Sequence, residues 1–361
     1  MRYAFVCDTP YQILSTISYV LDKKNTITSA DLYVEILRCK NVDMKRLVSR
    51  VVNSNLFANV YILESIPLKT KNNLYKAYEW LCPRRSFIKS MVKFTDIRKK
   101  HYDVIGVTGP FTLQRNFISL FPNSTVYFLE DGSGSYNERI GVNLLSWRGE
   151  LIQKILKRGP KYITPKKHFL YYPEFYEGAY SSILCKLNFP IDRLEWLKSI
   201  YDVHDCNLYA SSRMILFGQP IFHNERMQNM DQAIISTLVS MYGNQLIMRP
   251  HPAENIKDYS DLIVDNSPSQ WEIVCAESID DQSILIGKYS TAQLVPKLIF
   301  NKEPYIVFIY KLFGINDVGA ERGVQKLKSI YKDKSKIIIV ETQQDLVESI
   351  NHILEFDKQG V

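Results

Sequence analysis

Three short stretches of this 361-residue chain combine residue types that proton transfer and anion binding require. In Glu130-Asp131-Gly132-Ser133-Gly134-Ser135-Tyr136 an apolar run ends at two adjacent carboxylates, and a glycine then turns the backbone. Successive side chains of a strand point to opposite faces. One carboxylate of the pair can therefore face a ligand, where it would be placed as a general base, while the other anchors the loop. An ordinary Asp-Gly turn uses the same residues. In Arg249-Pro250-His251-Pro252 two prolines bracket a histidine, and each restricts its own φ and the residue before it. A rigid imidazole beside a permanent guanidinium charge suits an anionic leaving group, with Arg249 supplying fixed charge and His251 a proton near neutral pH. A proline-stiffened loop with an incidental histidine is the alternative. In Gly287-Lys288-Tyr289-Ser290-Thr291 two hydroxyls stand at a predicted helix start. They can simply cap it, or join free backbone N–H groups in an anion site. Gly218-Gln219-Pro220 follows an earlier strand in the same manner.

Several chemistries lack their signatures. The chain has no GxxxxGK[ST], no GxGxxG after the first strand, no HExxH and no GxSxG, which removes P-loop, dinucleotide, zincin and α/β-hydrolase readings. No D-x-D occurs, which argues against a metal-dependent, single-domain nucleotide-sugar transferase. The six cysteines form no CxxC pair, so reduced thiols are expected rather than disulfides or zinc.

The elements that must position these stretches are short apolar runs separated by helical ones. Arg2–Cys7, Asp31–Ile36, Asn59–Leu63, His101–Val107 and Ser124–Leu129 read as strands, with helices over Gln12–Leu21, Met44–Val52 and Asn72–Phe94. After about residue 206 the rhythm restarts: strands Met214–Phe217, Gln245–Met248, Ser283–Ile286, Pro304–Ile309 and Ser335–Val340, helices Asn229–Tyr242, Ala292–Ile299 and Thr342–Phe356. Alternation of this kind argues for parallel sheets covered on both faces. The stretch 158–206 reads as an irregular crossover. Two α/β domains are expected, residues 1–205 and 206–361, with a ligand in the cleft between them at the carboxyl ends of strands.

The order of the motifs is more specific than any one of them. Glu-Asp-Gly ending a strand in the first half, His-Pro ending one in the second, then Ser-Thr before a helix resembles the bacterial sialyltransferases. The opening Asp8-Thr9-Pro10-Tyr11-Gln12 is similar to the start of the capsule and lipooligosaccharide sialyltransferases of glycosyltransferase family 52. The resemblance spans roughly residues 1–300 and implies a GT-B architecture of two Rossmann-like domains, acceptor on the first and nucleotide on the second. It implies a metal-independent inverting transfer of sialic acid from CMP-sialic acid to a galactose-like hydroxyl, with no cofactor. On that resemblance Asp131 is the general base, His251 meets the departing phosphate, and Ser290 and Thr291 bind it. Arg249, Pro252, Gly218 and Gln219 lie near the nucleotide, and Thr9, Gln12, Glu130 and Gly132 belong to the acceptor and donor-sugar loops. Members thought to transfer glucose leave the donor open to a UDP-hexose or CMP-Kdo.

Composition sets the partners. With 46% hydrophobic and 23% charged residues the chain is globular in balance, and no apolar run approaches the ~18 residues of a membrane span. The N-terminus reads as strand and turn rather than signal peptide, so a cytoplasmic location is expected. Residues 1–200 carry 30 Lys+Arg against 17 Asp+Glu, the remainder 15 against 21. Cys82-Pro83-Arg84-Arg85, Arg98-Lys99-Lys100, Lys157-Arg158 and Lys166-Lys167 are interleaved with aromatics, and could hold the first half on an anionic membrane beside a lipid-linked acceptor; solvated faces are the alternative. A nucleic-acid-binding protein would need a recognisable element, and none is present. A non-catalytic sugar-binding protein is the remaining reading.

Overall fold

The computed structural model describes residues 1–36, 43–63, 97–109, 112–118, 120–136, 165–178, 181–203, 207–210, 212–219, 225–251, 254, 262–265, 267, 269–315 and 318–359. The chain divides into two compact units, Met1–Arg193 and Leu194–Val361. The division precedes the expected 205/206 because the helix Leu194–Tyr201 packs on the second unit, where Lys198 pairs with Glu277 at 2.8 Å.

The first unit holds a parallel sheet ordered β3-β2-β1-β4-β5-β6-β7. Its strands are β1 (Arg2–Cys7), β2 (Ser29–Glu35), β3 (Asn59–Leu63), β4 (Val104–Val107), β5 (Thr125–Leu129), β6 (Lys167–Leu170) and β7 (Leu184–Lys186). Beyond Arg2, β1 is fully buried, as a central parallel strand covered on both faces must be. Helix α1 (Pro10–Asp22) starts on the Thr9 side chain, which accepts the Gln12 N–H, with Pro10 preset for the first turn. Helices α2 (Met44–Asn53) and α3 (Thr112–Ile118) follow β2 and β4. The stretch expected to be irregular after residue 158 contains β6 and β7, which extend the sheet by parallel pairing, β6 onto β5 and β7 onto β6. The expected helix Asn72–Phe94 and the basic residues Arg84, Arg85, Lys157 and Arg158 lie outside the described residues. The Lys100 ammonium, partly exposed, is engaged within the protein rather than left to an anionic surface. It bonds Asp31 at 2.5 Å and Tyr61, within a polar group that includes Tyr102 and Asn59. Lys167 leans over the Tyr127 ring.

The second unit repeats the plan with the order β10-β9-β8-β11-β12-β13, all parallel. These strands are β8 (Met214–Phe217), β9 (Leu246–Arg249), β10 (Ile263–Val264), β11 (Ile284–Gly287), β12 (Tyr305–Phe308) and β13 (Ile337–Ile339). Its described helices of eight residues or more are α4 (Leu194–Tyr201), α5 (Glu225–Tyr242), α6 (Trp271–Ser278), α7 (Thr291–Phe300), α8 (Val318–Ile330) and α9 (Gln343–Gln359). The period of two along β8 sorts the core. Met214 and Leu216 pack with Ile234 and Leu238 of α5 and Leu346 and Ile350 of α9. Ile215 and Phe217 pack with Trp271 and Val274 of α6 and Val295 of α7. Pro296 inside α7 cannot donate to the Ala292 carbonyl, and the Trp271 indole N–H takes that carbonyl at 2.8 Å instead. The described cysteines Cys7, Cys185 and Cys275 are free thiols, and among the described residues no helix is long and apolar enough to cross a membrane.

Candidate active site

Both sheets reverse strand order beside their first strand, between β1 and β4 and between β8 and β11. Open α/β sheets bind ligands at the carboxyl ends of strands at such a point.

In the first unit, β5 delivers Glu130 and Asp131 to that end, and the two carboxylates divide as strand geometry requires. Glu130 is 2% exposed. It accepts from the Tyr11 hydroxyl at 2.7 Å, the Tyr171 N–H at 2.8 Å and the Tyr136 hydroxyl. Burial, then the Glu130 charge, pushes the Tyr136 phenol well up, so it stays a donor. Glu130 thus ties β5, α1 and the loop after β6 together and does not present a carboxylate to a sugar. Asp131 is partly exposed, and its N–H donates to the Ser135 hydroxyl at 2.7 Å. Its Oδ2 accepts from Gln12 Nε2 at 3.1 Å. The amide of Gln12, itself 1% exposed, cannot flip, because its Oε1 accepts the Asp8 N–H at 2.8 Å. Gly132 turns the chain at φ 77°, a left-handed value suited to glycine. Thr9, expected in a sugar loop, caps α1.

In the second unit three strand ends meet. Gly218 N–H donates to the Arg249 carbonyl at 2.9 Å, and Gln219 Nε2 donates to the Tyr289 carbonyl at 2.8 Å. These bonds link the ends of β8, β9 and β11. Tyr289 has φ 125°, a strained value for a residue with a side chain. It is held there by the Phe308 ring at 5.7 Å and by Gly323, where a Cβ would stand 1.9 Å from its hydroxyl oxygen. Ser290 caps α7 in a capping box: its hydroxyl accepts the Ala292 N–H at 3.3 Å, and Gln293 Oε1 accepts the Ser290 N–H at 3.0 Å. Those N–H groups, expected free for an anion, are therefore bonded within the protein. The Ser290 hydroxyl can still donate its own proton while accepting, and the helix dipole still favours an anion there. Thr291 is the first residue of α7.

His251 is exposed on the loop after β9, and desolvation holds its imidazole below the ordinary histidine range. Pro252 lies outside the described residues. Arg249 corrects the expectation of fixed charge for a nucleotide. Its guanidinium pairs with Asp265, donates to the Tyr209 hydroxyl at 2.8 Å and the Ser269 carbonyl, and stacks over Trp271 at 5.2 Å. Burial works against the charge, but Tyr209 and Asp265 outweigh it and hold the group ionised. The Lys288 ammonium is likewise taken, by Asp231 at 2.5 Å. Sequence reasoning missed Glu254, which touches both His251 and Gly218; no spacing rule marks it. It also missed Gln293, which the S-x-x-Q pattern of a capping box would have found. Among the described residues no three His, Cys, Asp or Glu side chains cluster as a metal site.

No protein-family model matches the sequence, and no curated protein matches it. Solved structures do resemble it. The GT-B domain of a sialyltransferase from Photobacterium damselae aligns over 94% of this chain and 99% of that one, at 15% identity and a TM-score of 0.53. A UDP-GlcNAc 2-epimerase from Neisseria meningitidis bound to UDP-GlcNAc covers 99% and 93%, at 12% identity and 0.53. A spinosyn rhamnosyltransferase complexed with thymidine diphosphate covers 98% and 92%, at 10% identity and 0.53. Together with the two parallel α/β units, these likenesses show that the chain has the GT-B fold.

Proposed function

We propose that the protein is an inverting glycosyltransferase that moves a sugar from a nucleotide donor to a glycan hydroxyl. The observation that supports the reading is the linkage of the ends of β8, β9 and β11 through Gly218 and Gln219, with Ser290 at the start of the helix after β11 and His251 two residues beyond β9. In this reaction the acceptor oxygen bonds to the anomeric carbon as the bond from that carbon to the donor phosphate breaks. The acceptor proton passes to the Asp131 carboxylate, whose orientation Gln12 sets. The electron pair leaves with the phosphate, whose charge is met by His251, by the Ser290 and Thr291 hydroxyls and by the dipole of α7. With its pKa lowered by desolvation, His251 acts near neutral pH chiefly as a hydrogen-bond donor.

CMP-sialic acid is the donor this arrangement suits best, because its leaving group carries a single phosphate that hydroxyls, a helix start and a histidine can stabilise. The acceptor would be a galactose-like end of a surface polysaccharide or lipooligosaccharide. The neighbours with UDP-GlcNAc and thymidine diphosphate keep a UDP-hexose as the second reading. The test is release of free nucleotide from CMP-sialic acid, CMP-Kdo and UDP-hexoses, with and without galactose-terminated acceptor. Acceptor-stimulated CMP release from CMP-sialic acid is expected. Turnover of a UDP-sugar alone, or epimerisation of UDP-GlcNAc without acceptor, would overturn the donor assignment.

A further inference from the structure

Glu254 ties the His251 loop to the end of β8. Its Oε2 accepts the His251 N–H at 2.7 Å, and its own N–H donates to the His251 carbonyl at 2.8 Å. The N–H and the carbonyl of His251 are thus both bonded to Glu254, the first through its side chain and the second through its main chain. The same carboxylate lies against Gly218, where a Cβ would stand 1.9 Å from Oε2 and 2.9 Å from Cδ. Glycine at 218 therefore admits the carboxylate, and Gln219 carries the connection on to Tyr289 beside Ser290. The backbone that carries the His251 imidazole helps to set its reach to a bound phosphate, and misplacement by about 1 Å can cost about a hundredfold in rate.

We propose that Glu254 is a positioning residue, which through its seat on Gly218 fixes the His251 backbone so that the imidazole meets the donor phosphate. This rests on the glycosyl-transfer reading above. Glutamine can accept the same N–H bond at position 254 and alanine cannot.

The test uses the full chain as wild type, Glu254→Ala, Glu254→Gln, Gly218→Ala and the Gly218→Ala/Glu254→Ala double variant. The first readout needs no substrate. In NMR spectra the His251 amide proton should lie downfield in wild type and Glu254→Gln and move upfield in Glu254→Ala; an unmoved resonance overturns the placement. The second is kcat and KM for CMP-sialic acid. Glu254→Ala and Gly218→Ala should each lower kcat about ten- to a hundredfold, the worth of one hydrogen bond to a charged group, with KM changed less than about threefold, as for an interaction used in the transition state. Glu254→Gln should stay within about threefold of wild type. The double variant should be no worse than the poorer single one, because both lose the same contact. Wild-type kcat in Glu254→Ala, additive losses, or a folded Glu254→Gln as poor as alanine overturns the proposal. If the wild type turns over no CMP- or UDP-sugar, the transfer reading falls and the positioning role with it, while the amide resonance still reports whether Glu254 holds the loop.

Discussion

Gln12→Glu replaces a neutral group that bonds the Asp131 carboxylate with a second carboxyl. Glutamate keeps the oxygen that accepts the Asp8 N–H, so the side chain stays in place, and its other oxygen then stands where Nε2 lay, 3.1 Å from Asp131 Oδ2. Two full charges at that distance repel by about 5 kcal/mol at an effective dielectric of 20. The pair therefore keeps one proton, and its upper apparent pKa rises, by up to about 4 units if the full repulsion is felt and by less where solvent screens it. Activity and stability should then move in opposite directions with pH. The acid limb of transfer should shift up by at least about one unit, since the base must be ionised to work. A carboxyl whose folded pKa lies above its unfolded one is stabilising while protonated. That stability is present below the unfolded value of about 4.3 and lost as pH rises through the folded value. Initial rates from pH 5 to 9, with urea unfolding over the same range, measure both. A wild-type acid limb together with a pH-independent loss of stability would refute the contact, or the assignment of Asp131 as base.

Three further outcomes follow from other parts of the molecule. His168 is 2% exposed between Phe128 and Tyr176, its Nδ1 makes no hydrogen bond, and burial pushes its pKa down to about 4 from 6.5. Its unfolded form binds a proton first as pH falls, so stability should drop between pH 6.5 and 4, by about 1.4 kcal/mol at pH 5.5 and about 3 kcal/mol in all. In His168→Phe, that component of the pH dependence of unfolding should vanish. Trp271→Phe strands the Ala292 carbonyl that Pro296 cannot satisfy and should cost about 1–3 kcal/mol in chemical denaturation; an unchanged midpoint would contradict that assignment. Gly323→Ala drives a Cβ into the Tyr289 hydroxyl and should weaken CMP binding severalfold by calorimetry, with partial recovery when Tyr289→Phe is added.

The strands that sit in mid-sheet were legible because burial on both faces writes them as unbroken apolar runs. Arg2–Cys7 and Met214–Phe217 have the bounds the sequence suggests, and so does the edge strand Asn59–Leu63, although only Leu63 of it is buried. β6, β7 and β10 were not, because Lys167 and Lys186 interrupt β6 and β7, and β7 and β10 are incompletely buried edge strands, so none writes an unbroken apolar run. They exist by pairing onto a strand already formed. At the site, positions at strand ends could be read, and Asp131, His251 and Ser290 all stand at or just beyond such ends. What each side chain does there was not legible. Arg249 looks like an available charge until Asp265, sixteen residues on, is folded against it. The left-handed backbone of Tyr289 depends on Phe308 and Gly323, and the seat of Glu254 depends on a missing Cβ at Gly218. Such facts belong to tertiary packing and leave no local pattern.

The central claim is that the ends of β8, β9 and β11 in the second unit receive the phosphate of the leaving nucleotide. A crystal structure of the protein with CMP tests it most directly. The phosphate is expected within about 3 Å of the His251 imidazole and of the Ser290 or Thr291 hydroxyl, with Arg249 still paired to Asp265. A phosphate bonded to the Arg249 guanidinium, or a nucleotide seated away from these strand ends, would contradict it.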